Sequence, residues 1–349
     1  MDFERYLTQQ ISLHPSMQPR DVVKLCYQAA HGAEHLLADT GMAWNYLKQE
    51  YDAVAAVDGA LYEQISDHVC RVNLSAWKAK ALPVEWLFRM FVASCKVQED
   101  GAAQFARYLQ AAETMVHAGA AGFSAAEWDR YLCEYKAMGM PAVHHSEAYR
   151  RQEHPAYRIV NSRFCRTIAI LEAAKVYLQG NNPCVIAIDG RAASGKTTLA
   201  HCLQQVLDAD VIHMDDFFVP PALRSEERFR KPGENIHHER FAEEVLPFIA
   251  KQAPFAYRVF DCSRMDYHGT REIGNKAFRI VEGSYSCHPI FEGYADITVF
   301  SDVPADEQLR RIRNRNGEAM LQMFQNRWIP LEEAYFSHYG IRDNVRISL

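Results

Sequence analysis

The stretch that decides the fold is "IAIDGRAASGKTTLA", residues Ile186 to Ala200. An apolar run stops at Gly190, and Gly195, Lys196 and Thr197 follow at the spacing G-x-x-x-x-G-K-[ST]. Two glycines permit tight turns, so consecutive backbone N–H groups can converge on one anion. A helix that starts at the lysine adds the positive end of its dipole. Gly190, Arg191, Ala192, Ala193, Ser194, Gly195, Lys196, Thr197 and Thr198 are therefore the expected cradle for the phosphates of a nucleotide. Lys196 is placed to reach the terminal phosphates and the Thr197 hydroxyl to ligand Mg²⁺. A chance match in a glycine-rich turn is the competing reading. The strand pattern before the loop and the helix pattern after it argue against chance.

Outward from this loop, short β-branched runs at Val185–Ile188, Val211–His213, Phe278–Val281 and Ile297–Phe300 alternate with helical stretches at 197–207, 239–250 and 305–315. Such alternation predicts a parallel sheet flanked by helices, with "NVRISL" as a closing strand. In a sheet of this kind the carboxyl ends of the strands line the ligand crevice. "DVIHMDDFFVP" brings Asp215 and Asp216 to one such end. A carboxylate there can orient and deprotonate an acceptor hydroxyl, although an Asx-type turn would use the same residues. "FRIVEGSYSCHP" brings Glu282 to another, as a candidate Mg²⁺ ligand opposite Thr197. "EQLRRIRNRNG" holds Arg310, Arg311, Arg313 and Arg315, with Arg311 and Arg315 on one helix face. An arginine-bearing lid would stabilise charge on a transferring phosphoryl group; a solvated basic helix is the plainer reading.

In this order the four pieces resemble the uridine kinase-like branch of P-loop kinases, which includes phosphoribulokinase and bacterial pantothenate kinase. The resemblance covers roughly residues 183–349, the length of one domain. It implies a P-loop NTPase fold and an ATP- and Mg²⁺-dependent transfer of the γ-phosphoryl group to a hydroxyl of a small molecule. It further implies Asp215 as base, Glu282 at the metal, and Lys196, Arg311 and Arg315 as the cations of the transfer, Arg311 also touching the nucleotide. The acceptor side departs from the family. "ENIHHERF" has His237 where uridine kinases carry a ribose-holding acid, and "YRVFDCSRMDY" lacks the base-contacting histidine. Losing an acidic clamp for a sugar diol should cost discrimination. Asp215, Phe217, His237, His238, Tyr257, Asp261 and Arg264 are the acceptor-side candidates, with a uridine-like nucleoside as the first acceptor to try. The alternative is a nucleotide-gated switch or ATPase whose N-terminal part binds a protein partner.

Composition sets the outer bounds. The 349 residues are 48% hydrophobic and 23% charged, as in globular proteins, with a net charge of −6. That balance gives no general attraction for nucleic acid or anionic membrane, and points to small molecules as partners, with a homo-oligomer left open. Nine scattered cysteines without a C-x-x-C pair read as thiols in a reducing compartment. "MDFERYLTQQ" has no apolar signal region, and a cytoplasmic location is the expectation.

Residues 1–155 read as an all-helical domain, 156–181 as a linker helix and 182–349 as the P-loop domain. "RDVVKLCYQAAHGAEHLL" puts Val22, Leu25, Cys26, Ala29, Ala33 and Leu36 on one face, with Lys24, Gln28, His31 and His35 opposite as a solvated polar face. "HGAEH" also satisfies H-x-x-E-H, so His31 and His35, with Glu34 alongside, are a formal zinc-binding pair without a clear third ligand. Ser124 and Glu127 form a capping-box pattern.

Overall fold

The computed structural model describes residues 3–33, 39–95 and 100–349. The chain forms two compact units, Met1–Cys165 and Arg166–Leu349. Among the described residues no helix is long and apolar enough to cross a membrane.

The first unit is mainly helical. Helices Phe3–Leu13, Pro19–His31, Gly101–His117 and Ala125–Ala137 share a core in which Val22, Leu25, Cys26, Ala29 and Ala33 are buried, as their helical spacing predicts. Ser124 and Glu127 make the capping box, each side chain accepting the other's backbone N–H. The unit also carries a three-stranded antiparallel sheet, β1 (Tyr62–Gln64), β2 (Val69–Asn73) and β3 (Tyr157–Asn161), which corrects the all-helical expectation. β3 occupies the start of the expected linker helix 156–181, which is otherwise 3₁₀ turns around one short helix, Ile168–Ala174. The reason is that "YRIV" is rich in aromatic and β-branched residues, and β2 offers it a full ladder from Val69↔Asn161 to Asn73↔Tyr157.

The polar face of helix Pro19–His31 departs from expectation too. The helix ends at Gly32 (φ 60°), so "HGAEH" does not lie on one continuous helix; Glu34 and His35 fall outside the described residues. No group of three metal-ligating side chains occurs among those that are described. Gln28 is buried, its side chain accepting from Arg71 and Tyr157, so this face is an interior one.

Asp21 is fully buried and accepts from Ser146 N–H and Oγ, Gln18 N–H and His145 Nδ1 (2.6–3.0 Å). Burial opposes its charge, but these bonds outweigh burial and hold its pKa below the ordinary value. Burial pushes His145 down to about 4, against the hydrogen bond to Asp21. The unfolded histidine titrates near 6.5, so the unfolded chain takes up the proton first and stability falls as pH drops from about 6.5 to 4. Asp21 continues the loss at lower pH, since its folded pKa is depressed. Denaturant titrations at pH 7, 5.5 and 4 should show a loss on the order of 2–3 kcal/mol, flattened in His145→Gln.

In the second unit β4 (Cys184–Gly190), β5 (Asp210–His213), β8 (Phe278–Glu282), β9 (Ile297–Ser301) and β10 (Ile347–Ser348) form one parallel sheet in the order β5-β8-β4-β9-β10. β4 and β8 are buried along their whole length, which is why they read as near-continuous apolar runs. Helix Lys196–Leu207 packs on β4, β5 and β8. Val185, Val281 and Phe300 pack with Phe241, Tyr335 and Phe336. This is the α/β P-loop fold expected from the sequence. A hairpin, β6 (Phe255–Asp261) with β7 (Asp266–Ile273), is inserted before β8. The expected helix at 239–250 is broken into His238–Glu244 and Leu246–Ile249, because Pro247 has no N–H to bond back into the preceding turn.

Candidate active site

Strand register assembles the site. β4 ends at Gly190 opposite Ser301, and Glu282 lies beside Ile188 on one side and His213 on the other. The tips of β4, β5, β8 and β9 therefore finish within two residues of one level, at the same edge of the sheet.

Gly190 has φ 136°, and a Cβ there would lie 2.0 Å from the Ser301 carbonyl oxygen. Only glycine lets the chain leave β4 at this point. Ala193 and Gly195 also have positive φ, which curls the loop into a nest of N–H groups above helix Lys196–Leu207. Lys196 is buried, its Nζ donating to the carbonyls of Gly190 and Arg191 (2.7 and 2.9 Å). Thr198 is exposed in the first turn of the helix. Arg191 points away from the loop to Glu333 (2.6 Å) and Asp302.

The loop is pinned by residues that sequence reasoning missed. Asp189 is fully buried and accepts from Gly190, Tyr285 and Cys287 N–H and from the Tyr335 hydroxyl. Burial still raises its pKa. Glu332 accepts from Ala192 N–H (2.9 Å) and the Ser284 hydroxyl (2.6 Å), and burial raises its pKa as well. Arg166 donates to the Ser194 carbonyl and the Ser301 hydroxyl, both at 3.3 Å. An acid next to the first loop glycine was the one local signal. Glu332 and Arg166 lie far from the motif in sequence and give none.

Beside the loop, Thr197 Oγ1 donates to Glu282 Oε2 (3.1 Å), and His213 Nδ1 lies 2.5 Å from Glu282 Oε1. That hydrogen bond is the main reason the His213 pKa is raised. A hydroxyl and a carboxylate side by side are an all-oxygen pair of the kind Mg²⁺ takes together with substrate phosphates.

The paired acids separate in role. Asp216 is buried and takes hydrogen bonds from the Tyr257 hydroxyl (2.8 Å) and Arg271 Nε (3.1 Å). The Asp215 side chain is exposed to solvent, while the surrounding protein still desolvates its carboxyl. That desolvation first, and the Glu282 charge second, raise its pKa against the pull of Lys196 and His213. Asp215 and Lys196 are thus within electrostatic range of one another.

The remaining expected residues divide. Arg311 Nη1 donates to the Ala193 carbonyl (3.1 Å) and its Nε to Glu307, from helix Ala305–Met323, which kinks at Gly317. Arg315 bonds its neighbour Asn316 and stays exposed, so of this pair only Arg311 hydrogen-bonds the loop. Phe217 and Tyr257, expected to meet an acceptor, are buried. Phe217 packs between Phe241 and Tyr257 under the Arg240 guanidinium. These two rings build the wall behind Asp216 instead of facing a ligand. His237 caps the helix His238–Glu244, its Nδ1 accepting from Arg240 N–H. His238 bonds Glu234 and lines a recess of about 470 Å³ with Arg228 and Lys231. Asp261 is engaged by Ser263 in the β6–β7 turn, and Arg264 is exposed beside His268. Desolvation, then the Asp215 charge, raise the pKa of Cys262 in that turn.

No family model matches the chain, and no curated protein matches it. Among solved structures it is similar to a possible uridine kinase from Bacillus stearothermophilus, at 20% identity and a TM-score of 0.42, covering 54% of this chain and 97% of that one. It is also similar to a candidate fructose transport system kinase from Silicibacter sp. TM1040, at 22% identity and a TM-score of 0.44, covering 54% of this chain and 98% of that one. Neither likeness carries an argument about what this chain acts on, and that weight falls on the geometry of the loop and its neighbours.

Proposed function

We propose that the second unit is an ATP- and Mg²⁺-dependent small-molecule kinase. The observation that supports it most is Asp215, a carboxylate without a hydrogen-bond partner, within the fields of Lys196 and Glu282 in the turn that leaves β5, with β8 between β5 and the strand that leads into the loop. An ATP-hydrolysing switch would need only to orient water. An exposed carboxylate whose pKa is raised suits a base for an acceptor hydroxyl.

In this reading the loop amides and Lys196 hold the β- and γ-phosphates and offset their charge. Thr197 and Glu282 would hold Mg²⁺, which supplies charge neutralisation to the phosphates. Asp215 accepts the acceptor's proton as its oxygen bonds to the γ-phosphorus. The bond from that phosphorus to the bridging oxygen breaks, and ADP leaves with the electron pair. Arg311 is positioned to close on the transferred group from the Ala193 side. His237, His238, Asp261 and Arg264 remain the acceptor-side set, and nucleosides are the first acceptors to try.

The test is incubation with γ-labelled ATP, Mg²⁺ and a panel of nucleosides, sugars and vitamins. Label in an acceptor-dependent product is the expected result. Release of free phosphate only, at a rate no acceptor changes, would leave the switch reading in its place.

A further inference from the structure

The first unit holds a second recess, of about 520 Å³, that plays no part in the phosphate chemistry. Its distinguishing feature is Arg71, in the middle of β2 and 6% exposed. A guanidinium has five N–H donors in a rigid fork. Nη2 donates to Gln28 Oε1 (2.9 Å), the ring of Tyr157 lies 4.6 Å below the guanidinium carbon, and Nε is buried with no partner. Glu63, directly across the β1–β2 ladder, reaches only to 3.9 Å from Nη1, and its other oxygen accepts from Gln10. The cation is thus largely out of water, with Nε unpaired and Glu63 only at the edge of ion-pair range, an arrangement that a further anion would complete.

The charges around it point the same way. Burial, and after it the charges of Arg71 and Arg150, push Lys24 down to about 8. Burial raises the Tyr6 pKa, so this neighbouring hydroxyl keeps its proton and offers no negative charge. Across the recess, Glu153 is bound by His14 (2.8 Å) and Ser16 (2.6 Å). Tyr62, Tyr149 and Tyr157 supply flat walls.

We propose that this recess binds a free amino acid or a closely related zwitterion, its carboxylate on the Arg71 fork and its ammonium on Glu63. A phosphate dianion fits poorly, because Glu63 stands beside the only buried guanidinium of the recess and Glu153 faces it. A simple amine would leave Arg71 Nε unpaired. A ligand that carries one charge of each sign satisfies both groups, and the volume lies within the usual range for small-molecule sites.

The test uses the full chain without nucleotide, so its outcome is independent of the kinase reading. Thermal shift with the common L-amino acids and with inorganic phosphate identifies binders, and calorimetry then compares each with its carboxamide and its decarboxylated amine. At least one amino acid should bind, with both analogues weaker by about tenfold or more, the equivalent of one charge-assisted contact. Glu63→Gln changes a half-exposed residue, and should keep the fold while weakening the amino acid by about tenfold or more. Arg71→Lys should do the same if it folds. No shift with any amino acid, equal affinity for the carboxamide, preference for phosphate, or an unchanged affinity in Glu63→Gln overturns the proposal.

Discussion

Asp215→Asn is expected to lower kcat for acceptor phosphorylation by about 10²–10⁴-fold while ATP affinity is retained. The substitution keeps the shape of the side chain and removes only its ability to take a proton. Asp215 carries no hydrogen bond on which the fold depends, so the loss should not come through unfolding. The pH profile adds a signature. Desolvation and the Glu282 charge raise the Asp215 pKa, so wild-type turnover should fall as pH drops through that raised value. The residual activity of the variant should lack this acid limb. Stopped assays of labelled product across pH, together with nucleotide binding, measure both. Turnover unchanged in Asp215→Asn would remove the base from the reading.

The second large effect concerns the frame that carries the site. Arg279, on β8 three residues before Glu282, is fully buried. Its guanidinium donates to the carbonyls of Phe248, Ile249, Lys251, Ala253 and Gly274 at 2.7–2.9 Å. One fork thus closes the carbonyl end of helix Leu246–Ile249 and the turns on either side of the β6–β7 hairpin. Arg279→Met leaves these acceptors without their donor and should cost about 3–5 kcal/mol. In a domain of this size that corresponds to a fall in melting temperature of roughly 6–20 °C. Arg279→Lys should recover little, because a single ammonium cannot reach both sets of carbonyls. A variant within about 0.5 kcal/mol of wild type would show that these bonds contribute nothing net.

The parts of the site that could be read from sequence are those written in local spacing. The loop pattern rests on Gly190, Gly195, Lys196 and Thr197, which fall within eight residues. Asp215 and Glu282 were legible because each ends an apolar run, and parallel strands bring such ends together. Phe217 and Tyr257 were misread because an aromatic residue beside a motif looks the same whether it faces a ligand or a core. Burial decides between the two, and burial is a property of the packed molecule.

The first unit shows the same division. Val160, Phe164, Ile168 and Leu171 follow a helical period, yet Tyr157–Asn161 is a strand. Helix and strand are close in local preference there, and β2, more than eighty residues earlier, supplies the hydrogen bonds that decide. Gln28 looked solvated because its neighbours in sequence are polar at helical spacing. Arg71 and Tyr157, both remote in the chain, make it interior.

By itself, then, the sequence determined the α/β class of the second unit, the glycine-bounded turn after β4 and the strand ends that Asp215 and Glu282 follow or close, because each follows from backbone geometry and periodicity over a few residues. Tertiary structure alone decided which of Asp215 and Asp216 stays open, that Glu332, Asp189 and Arg166 brace the loop, and that Arg71 is enclosed with Nε unpaired. Those outcomes depend on desolvation and on partners distant along the chain, and neither is encoded in any short stretch of residues.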